Sequence, residues 1–430
     1  VVRGLPRLPG RLFRGATLHG LLLSGSRAEH LPGDLLAGLE NSLLALGLGE
    51  NRLARVPTEA LRPLVRLQRL SLSGNRLRAV EENELPPLPN LAELNLADNE
   101  IVRLAAGAFA ALPSLTSLSL EGNRLDAQQL RGGALRRLDR LRQLTLDRNL
   151  LRGPLTPAVA AALPDVGVLS LARNNLTSTA AGALAALRSL TDLDLSRNSV
   201  DVIEDGSFVG LGRLRSLRLD GNRIVTLPAA AFRGLKRLAS LDLGDNALLS
   251  VAPAVLAPLT GLRQLSLRHN DLIQLDGSMF DTMPSLKRLD LAENPLHCDC
   301  RLRELATYLA ASRARLDAAD LSQVTCTTPP ELENAPLLEV MADQLTCADE
   351  QLPSAPEQPA SADISQLVQL HSAELEAGGV VHLLWSVDPS LSPYRCRRVM
   401  AVELRAGFVR TRSSSEESFH SDSDDLDSLG

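Results

Sequence analysis

Aromatic residues are nearly missing from this chain. Seven Phe, two Tyr and one Trp make up 2% of its 430 residues, so leucine and alanine must fill the core that the 44% hydrophobic content builds. Long apolar runs are missing too. No stretch approaches the roughly 18 residues of a membrane-spanning helix, which excludes such a span within the chain. Nor is there a dense basic patch: residues 1–297 carry 35 basic and 29 acidic side chains, residues 298–430 carry 10 and 22, and the net charge is −6. That balance argues against nucleic acid as a partner. No G-x-S-x-G, P-loop or dinucleotide fingerprint occurs. The seven histidines (His19, His30, His269, His297, His371, His382 and His420) are scattered rather than clustered. The chain is therefore read as no enzyme, with no cofactor and no metal. Its first residues, "VVRGLPRLPG", include neither an initiator Met nor a signal peptide.

What is present is a repeat. The pattern L-x-x-L-x-L-x-x-N-x-L recurs as "LLALGLGENRL", "LQRLSLSGNRL", "LAELNLADNEI" and eight further copies. It places asparagines at Asn51, Asn75, Asn99, Asn123, Asn149, Asn174, Asn198, Asn222, Asn246, Asn270 and Asn294. Successive spacings are 24 residues, except for 26 and 25 around Asn149. A degenerate copy, "LHGLLLSGSRA", precedes them with Ser26 in the asparagine slot. Within each copy L-x-L predicts a short strand, its leucines facing one side and the variable residues the other. One repeat cannot bury its leucines alone, whereas a stack makes a continuous core. The asparagine amide can satisfy backbone groups of the turn. About ten residues later a second apolar anchor (Phe109, Phe208, Phe232, Phe280, Leu61 or Leu256) closes the outer side. The expected fold is an α/β repeat solenoid, right-handed, with short parallel strands on a concave face.

These motifs resemble the leucine-rich repeat family, in the 24-residue form common in extracellular receptors and matrix proteins. The resemblance covers residues 1 to about 297 and implies a curved horseshoe. Residues 18–297 hold about twelve copies, and residues 1–17 are read as a partial leading repeat. Phe13 takes a convex anchor position, which puts the preceding asparagine slot at Arg3. Solenoids need a polar cap at each end. The chain is thus expected to be a piece of a longer protein, with its leader and N-terminal cap upstream. The two long copies surround "RLDAQQLRGGALRRLDR", where Gly132 and Gly133 can adopt positive φ. Their additional residues should bulge from the convex or lateral side and leave the inner sheet whole.

Four of the five cysteines follow the last repeat: Cys298-x-Cys300, then 25 residues, Cys326, then 20 residues, Cys347. With His297 beside them, they could form a metal site, a redox pair or two disulfides. A single intervening residue makes a poor chelate, and a redox C-x-x-C is absent. Leu302, Leu305, Ala306 and Leu309 lie on one face of a predicted helix that could cover the last repeat. Four cysteines framing such a helix suit disulfides best. The segment 298–348 resembles the C-terminal cysteine-rich cap of extracellular leucine-rich repeat proteins: N-P-x-x-C-x-C-x-L-x-x-L, later "TCTTPPEL", then a final cysteine. That resemblance implies the pairs Cys298–Cys326 and Cys300–Cys347. Leu296 and Tyr308 depart from it, standing where the family often has tryptophan, which predicts looser packing. Such bridges persist in oxidising compartments, so the chain is expected to be extracellular, either secreted or an ectodomain.

Beyond the cap, 349–378 reads as a Pro/Ser/Glu linker. In 379–409, Val381, Leu383, Trp385 and Val387 alternate, then Met400, Val402 and Leu404, predicting a β-hairpin. It is similar to the early strands of a fibronectin type III domain, in which a strand tryptophan packs on a tyrosine such as Tyr394. Cys396 reads equally as a small core residue or as half of a pair with a missing partner. Residues 410–430 are acidic and Ser-rich, a disordered tail. Ser413, Ser414 and Ser421 there have acidic residues three positions on, as acidophilic kinase sites do.

The functional expectation is a protein–protein interaction module of an extracellular or cell-surface protein, acting in recognition, adhesion or signalling; the alternative is a secreted matrix or carrier scaffold. Binding is assigned to the inner face of repeats eight to twelve: Asp192, Asp194, Arg218, Asp220, Asp242, Arg268, Arg288 and Asp290, with Arg215 and Arg263 alongside. The early repeats place small residues there, such as Ala45, Gly47, Gly49, Ser71, Ser73, Ser117 and Ser119. The Asp194–Arg218–Asp242 column either neutralises itself or meets a protein of mixed charge; nothing in it indicates an oligomeric state. Asn175-Leu176-Thr177 is the single N-x-S/T sequon, a glycosylation candidate. Non-reducing peptide mapping is expected to find no free thiol at Cys298, Cys300, Cys326 or Cys347; free thiols at any two would contradict the disulfides, and a zinc signal in elemental analysis would return the metal reading.

Overall fold

Each repeat contributes one short strand, and the strands stack side by side in register. The computed structural model describes residues 10–347 other than 27, 136, 137 and 342, together with the strands Val2–Arg3, Val368–Glu376, Val380–Val387 and Met400–Arg405. Two units result, Val1–Ala348 and Asp349–Gly430. In the first, thirteen parallel strands form a single sheet running from Val2–Arg3 through Gly20–Ser24 and Ala45–Gly47 to Arg288–Asp290. Leu46 stands opposite Leu70, Leu70 opposite Leu94, and Leu94 opposite Leu118. These leucines and their partners two residues on, such as Leu48, Leu72, Leu96 and Leu120, are buried along the whole stack. The convex side is closed by Phe109, Phe208, Phe232 and Phe280, all buried, with Phe208 and Phe232 stacked at 6.1 Å.

The asparagine ladder joins neighbouring repeats through one side chain per turn. The Asn75 amide nitrogen donates to the carbonyls of Leu48, Leu72 and Ser73 at 2.9, 2.9 and 3.3 Å, and its oxygen accepts from the Leu53 amide at 3.0 Å. Asn51, Asn99, Asn123, Asn149, Asn198, Asn222, Asn246, Asn270 and Asn294 make the same set of donor bonds. Asn174 does so as well, and its oxygen receives both Asn149 N and Leu151 N at 3.2 Å. The residue before each slot has positive φ, from Gly25, Glu50 and Gly74 to His269 and Glu293. That kink turns the amide inward, and glycine meets it without strain at Gly74 and Gly122.

The irregular copies keep the sheet intact. Ser117 pairs with Gln143 and Gln143 with Val168, so the longer spacings are absorbed outside the strands. On the outer side the helix Ala127–Arg131 forms, its N-terminus held by the Asp126 carboxylate accepting from Gln129 N, and Gly133 follows at φ 85°. A second parallel sheet of Arg152–Leu155, Asn175–Thr179 and Val202–Ile203 lines the flank.

At the C-terminal end, disulfides join Cys298 to Cys326 and Cys300 to Cys347, with Cα separations of 5.6 and 5.1 Å. Leu302, Leu305 and Leu309, running from a 3-10 turn into the helix Arg303–Ala311, are fully buried on the last repeat. Gly277 makes that seat possible, because a Cβ there would lie 2.4 Å from the Glu304 backbone. Leu296 is fully buried and Tyr308 tilts on Phe280 at 5.2 Å, so the two departures from tryptophan are filled by contacts. Asp317 N donates to Lys287 O at 2.9 Å, capping the edge of the last strand.

Two expectations need correction. Val2 pairs with Leu23 and Arg3 with Ser24, so Arg3 lies level with Ser24 and not with the slot residue Ser26. Counting back from Phe13 assumed a constant separation of slot and anchor, which the pairing of Val2 and Arg3 does not follow. The linker assigned to 349–378 contains the strand Val368–Glu376, antiparallel to Val380–Val387, which in turn pairs antiparallel with Met400–Arg405. A register shift between Leu370 and Ser372 breaks the two-residue alternation, which is why that strand was hidden. Tyr394, Cys396 and the tail 410–430 lie outside the described residues.

Asn123→Ala removes four hydrogen bonds at a buried site. Leu96, Leu120 and Glu121 each keep a second donor, in Asn99, Asn149 and the Asp98 amide, and only the Ile101 amide is left unpaired. With about 1 kcal/mol for each bond, destabilisation of about 4 kcal/mol is expected. A lowered urea midpoint would show it, and an unchanged one would contradict the ladder's role.

Candidate functional site

The concave face is where side chains leave the strands without entering the core. Because paired residues are neighbours in the sheet, each motif position forms a column with rungs about 4.8 Å apart. Asp194, Arg218 and Asp242 are direct neighbours in one such column. The Arg218 guanidinium reaches Asp194 Oδ2 at 3.4 Å and Asp220 Oδ1 at 3.2 Å. Asp194 and Asp242 also accept from the amides of Ser196 and Gly244, at 2.9 and 3.1 Å. Asp220 is only 8% exposed. Burial, then repulsion from Asp242, pushes its carboxyl above the ordinary range, more than the Arg218 charge lowers it.

The remaining assigned residues divide. Asp192 is half-buried and accepts from the Thr191 hydroxyl at 2.7 Å. Arg215 and Arg263 are exposed, one residue before their strands. Arg268 is paired with Glu293. Arg288 is not free on the face: it reaches Asp320 of the short helix Ala318–Ser322 at 3.2 and 3.3 Å, and so ties the last strand to the cap. Asp290 beside it accepts from Ala292 N. His269 bonds Asp245 at 2.6 Å on the rim, and that bond raises its pKa. Asn175 stands on the flank, away from these columns, at the start of its strand. Among the described residues the nearest thing to a metal cluster is Asp299, Cys300 and Cys347, but both sulfurs are held in a disulfide.

Two features escaped the sequence reading. One is Asp147, which sits at the same motif position as Asp220. Burial raises its pKa, with Asp194 and Glu121 adding repulsion against the bonds from Ser170 and Ala172. Extending that column two repeats beyond the charged run would have found it. The other is a trough of about 620 Å³ in the early repeats, floored by Gly20, Ala45, Gly47, Ser71 and Ser117 and flanked by Arg69 and Glu93. The small side chains were legible, but the hollow they leave appears only once the strands are set side by side.

The leucine rich repeat family model matches residues 16–77, 89–151, 164–224 and 213–272, more than half of the chain. The chain belongs to the leucine-rich repeat family. Solved leucine-rich repeat structures agree. The chain is similar to one in the octameric complex of Latrophilin 3 (Lec, Olf), Unc5D (Ig, Ig2, TSP1) and FLRT2 (LRR), at 25% identity and TM-score 0.63, over 75% of this chain and 95% of that one. It shares its fold with a chain of the Toll–Spatzle complex of Drosophila (20% identity, TM-score 0.50, 77% of this chain and 58% of that one). The mouse RP105/MD-1 complex gives 22% identity and TM-score 0.52, over 78% and 64%. No curated protein matches the chain by sequence. Each of the three structural neighbours is a protein held in a complex with other proteins. No helix of the described residues is long and apolar enough to cross a membrane.

Asp147→Asn tests the electrostatics of the face. A carboxyl whose folded pKa is raised favours the folded state while protonated, and that stability is lost as pH rises through the folded pKa. At pH 7 the variant should therefore melt higher than the parent, with the gap closing as pH falls into the carboxylate range. Equal melting temperatures across that range would contradict it.

Proposed function

We propose that the chain is a non-enzymatic recognition module of an extracellular or cell-surface protein, and that it binds a protein partner across its concave face. The observation that carries this reading is the face itself: strands from Gly20–Ser24 to Arg288–Asp290 present side chains in aligned columns that the leucine core does not use. Two disulfides at the end of the solenoid support an oxidising compartment. The complexes that hold its structural neighbours support a protein as the partner class.

The face has two unlike halves. Over repeats eight to ten, Asp194, Arg218, Asp220 and Asp242 form a charged strip, with Arg215 and, on the next repeat, Arg263 exposed at its edge. A partner of mixed charge fits this strip, with association slowing as salt rises. The early trough has small walls and no aromatic residue. The partner is therefore the side that supplies a bulky anchor there, since binding energy concentrates where a large side chain fills a pocket.

The test is a screen of the secreted, multimerised chain against purified cell-surface and secreted ectodomains, followed by paired variants. Arg215→Glu with Arg218→Gln is preferred, because a glutamate at 218 would crowd Asp194, Asp220 and Asp242. A hot-spot loss of about 2 kcal/mol predicts roughly thirtyfold weaker binding by a chain that still unfolds cooperatively, its melting point lowered only by the loss of the Arg218 pairs with Asp194 and Asp220. Unaltered affinity for a confirmed partner would move the site off these repeats.

A further inference from the structure

We propose that Asn175 carries an N-linked glycan, and that this glycan covers the apolar side chains left exposed beside it. The proposal rests on the reading of the chain as extracellular. Asn175-Leu176-Thr177 is the only N-x-S/T sequence in the chain, and the fold gives it an accessible place. Asn175 is exposed at the start of the flank strand Asn175–Thr179. Its side-chain oxygen accepts from the Ser199 hydroxyl at 2.9 Å, while its nitrogen has no acceptor among the described residues.

The neighbouring asparagine shows what an unsuitable acceptor looks like. Asn174 Nδ2 is bonded to the carbonyls of Leu146, Leu171 and Ala172 at 3.0, 3.0 and 3.2 Å. A sugar on that atom would cut the ladder. On Asn175 it disturbs at most one exposed hydrogen bond. The transfer needs an oligosaccharide linked to a polyprenyl pyrophosphate, the donor of the secretory pathway. The bond from the sugar's anomeric carbon to the pyrophosphate oxygen breaks, a bond to Asn175 Nδ2 forms, and that nitrogen loses one proton as the polyprenyl pyrophosphate leaves.

The covering role follows from what lies nearby. Leu150 and Val202 are 55% and 52% exposed, among the most open large apolar side chains of the described residues. Asn175 pairs with Arg152, two residues beyond Leu150, and Val202 pairs with Ser178, three residues beyond Asn175. Both therefore root about 10 Å from Asn175 on adjoining strands, within reach of a bulky, solubilising glycan. The same glycan would keep partners off this flank and leave the concave columns open.

Secretion from a eukaryotic host behind a supplied signal sequence, with intact mass before and after peptide N-glycosidase, tests the site. The expected result is a mass shift mapped to Asn175, lost in Asn175→Gln and Thr177→Ala and kept in Thr177→Ser, all melting like the parent. Unglycosylated Asn175→Gln should bind more hydrophobic dye and self-associate, and adding Leu150→Ser with Val202→Thr should reverse both. A secreted, disulfide-bonded chain with bare Asn175 overturns the site. A glycan whose loss leaves dye binding unchanged overturns the covering role. Retention in the cell with reduced cysteines overturns the extracellular reading, and the site with it.

Discussion

A single buried amide per turn is the constraint on which the repeats depend. Each ladder asparagine links its own turn to the previous one through three donor bonds and at least one acceptor bond, as Asn123 does with Leu96, Leu120, Glu121 and Ile101. Those carbonyls and amides lie in the interior, where leaving them unpaired would be expensive. With the turn satisfied from within, a strand needs only three residues before the chain bends away. The leucine shell can then run unbroken beneath the strands. Ser26 shows the reverse: its backbone amide reaches Asn51, but its buried hydroxyl has no partner among the described residues. The shorter side chain cannot span the carbonyls that an amide reaches.

Both ends of the stack face a related problem in different degrees. A parallel edge strand exposes a row of unpaired backbone groups. At the C-terminal end the remedy is assembled from several sources: Asp317 N caps Lys287 O, Asp320 holds Arg288, and Leu302, Leu305 and Leu309 cover the last leucines. The two disulfides fix these pieces together, each closing a loop worth about 3–4 kcal/mol in the chain-entropy picture. Arg288 thus serves the cap rather than the face, although its motif position matches that of residues open to a partner.

Much of this was legible in the residue pattern because the repeat is periodic and its chemistry is local. The asparagine spacing locates every strand of the inner sheet from Ala45–Gly47 to Arg288–Asp290, and the apolar residues at i, i+3, i+4 and i+7 locate the cap helix. What was hidden depends on distance between elements or on broken periods. The Arg288–Asp320 pair joins residues that no spacing rule connects, and the trough is a property of neighbouring small residues on separate strands. Val368–Glu376 was concealed by its register shift, and the register of the leading strand Val2–Arg3 could not be had by counting back from Phe13. Of the proposed binding residues, columns could be assigned in advance, but which charges are already spent could not.

The way the long copies are accommodated has an evolutionary corollary. Their additional residues leave the stack on its outer side, while Ser117, Gln143, Val168 and Asp192 remain aligned rung by rung. Outer insertions and inner alignment are therefore independent variables. Duplicating or deleting one whole turn would lengthen or shorten the recognition surface by a single rung and leave every other rung facing the same neighbours. Such a surface can be revised in units, like the teeth of a comb, with each unit already carrying the amide that joins it to the next.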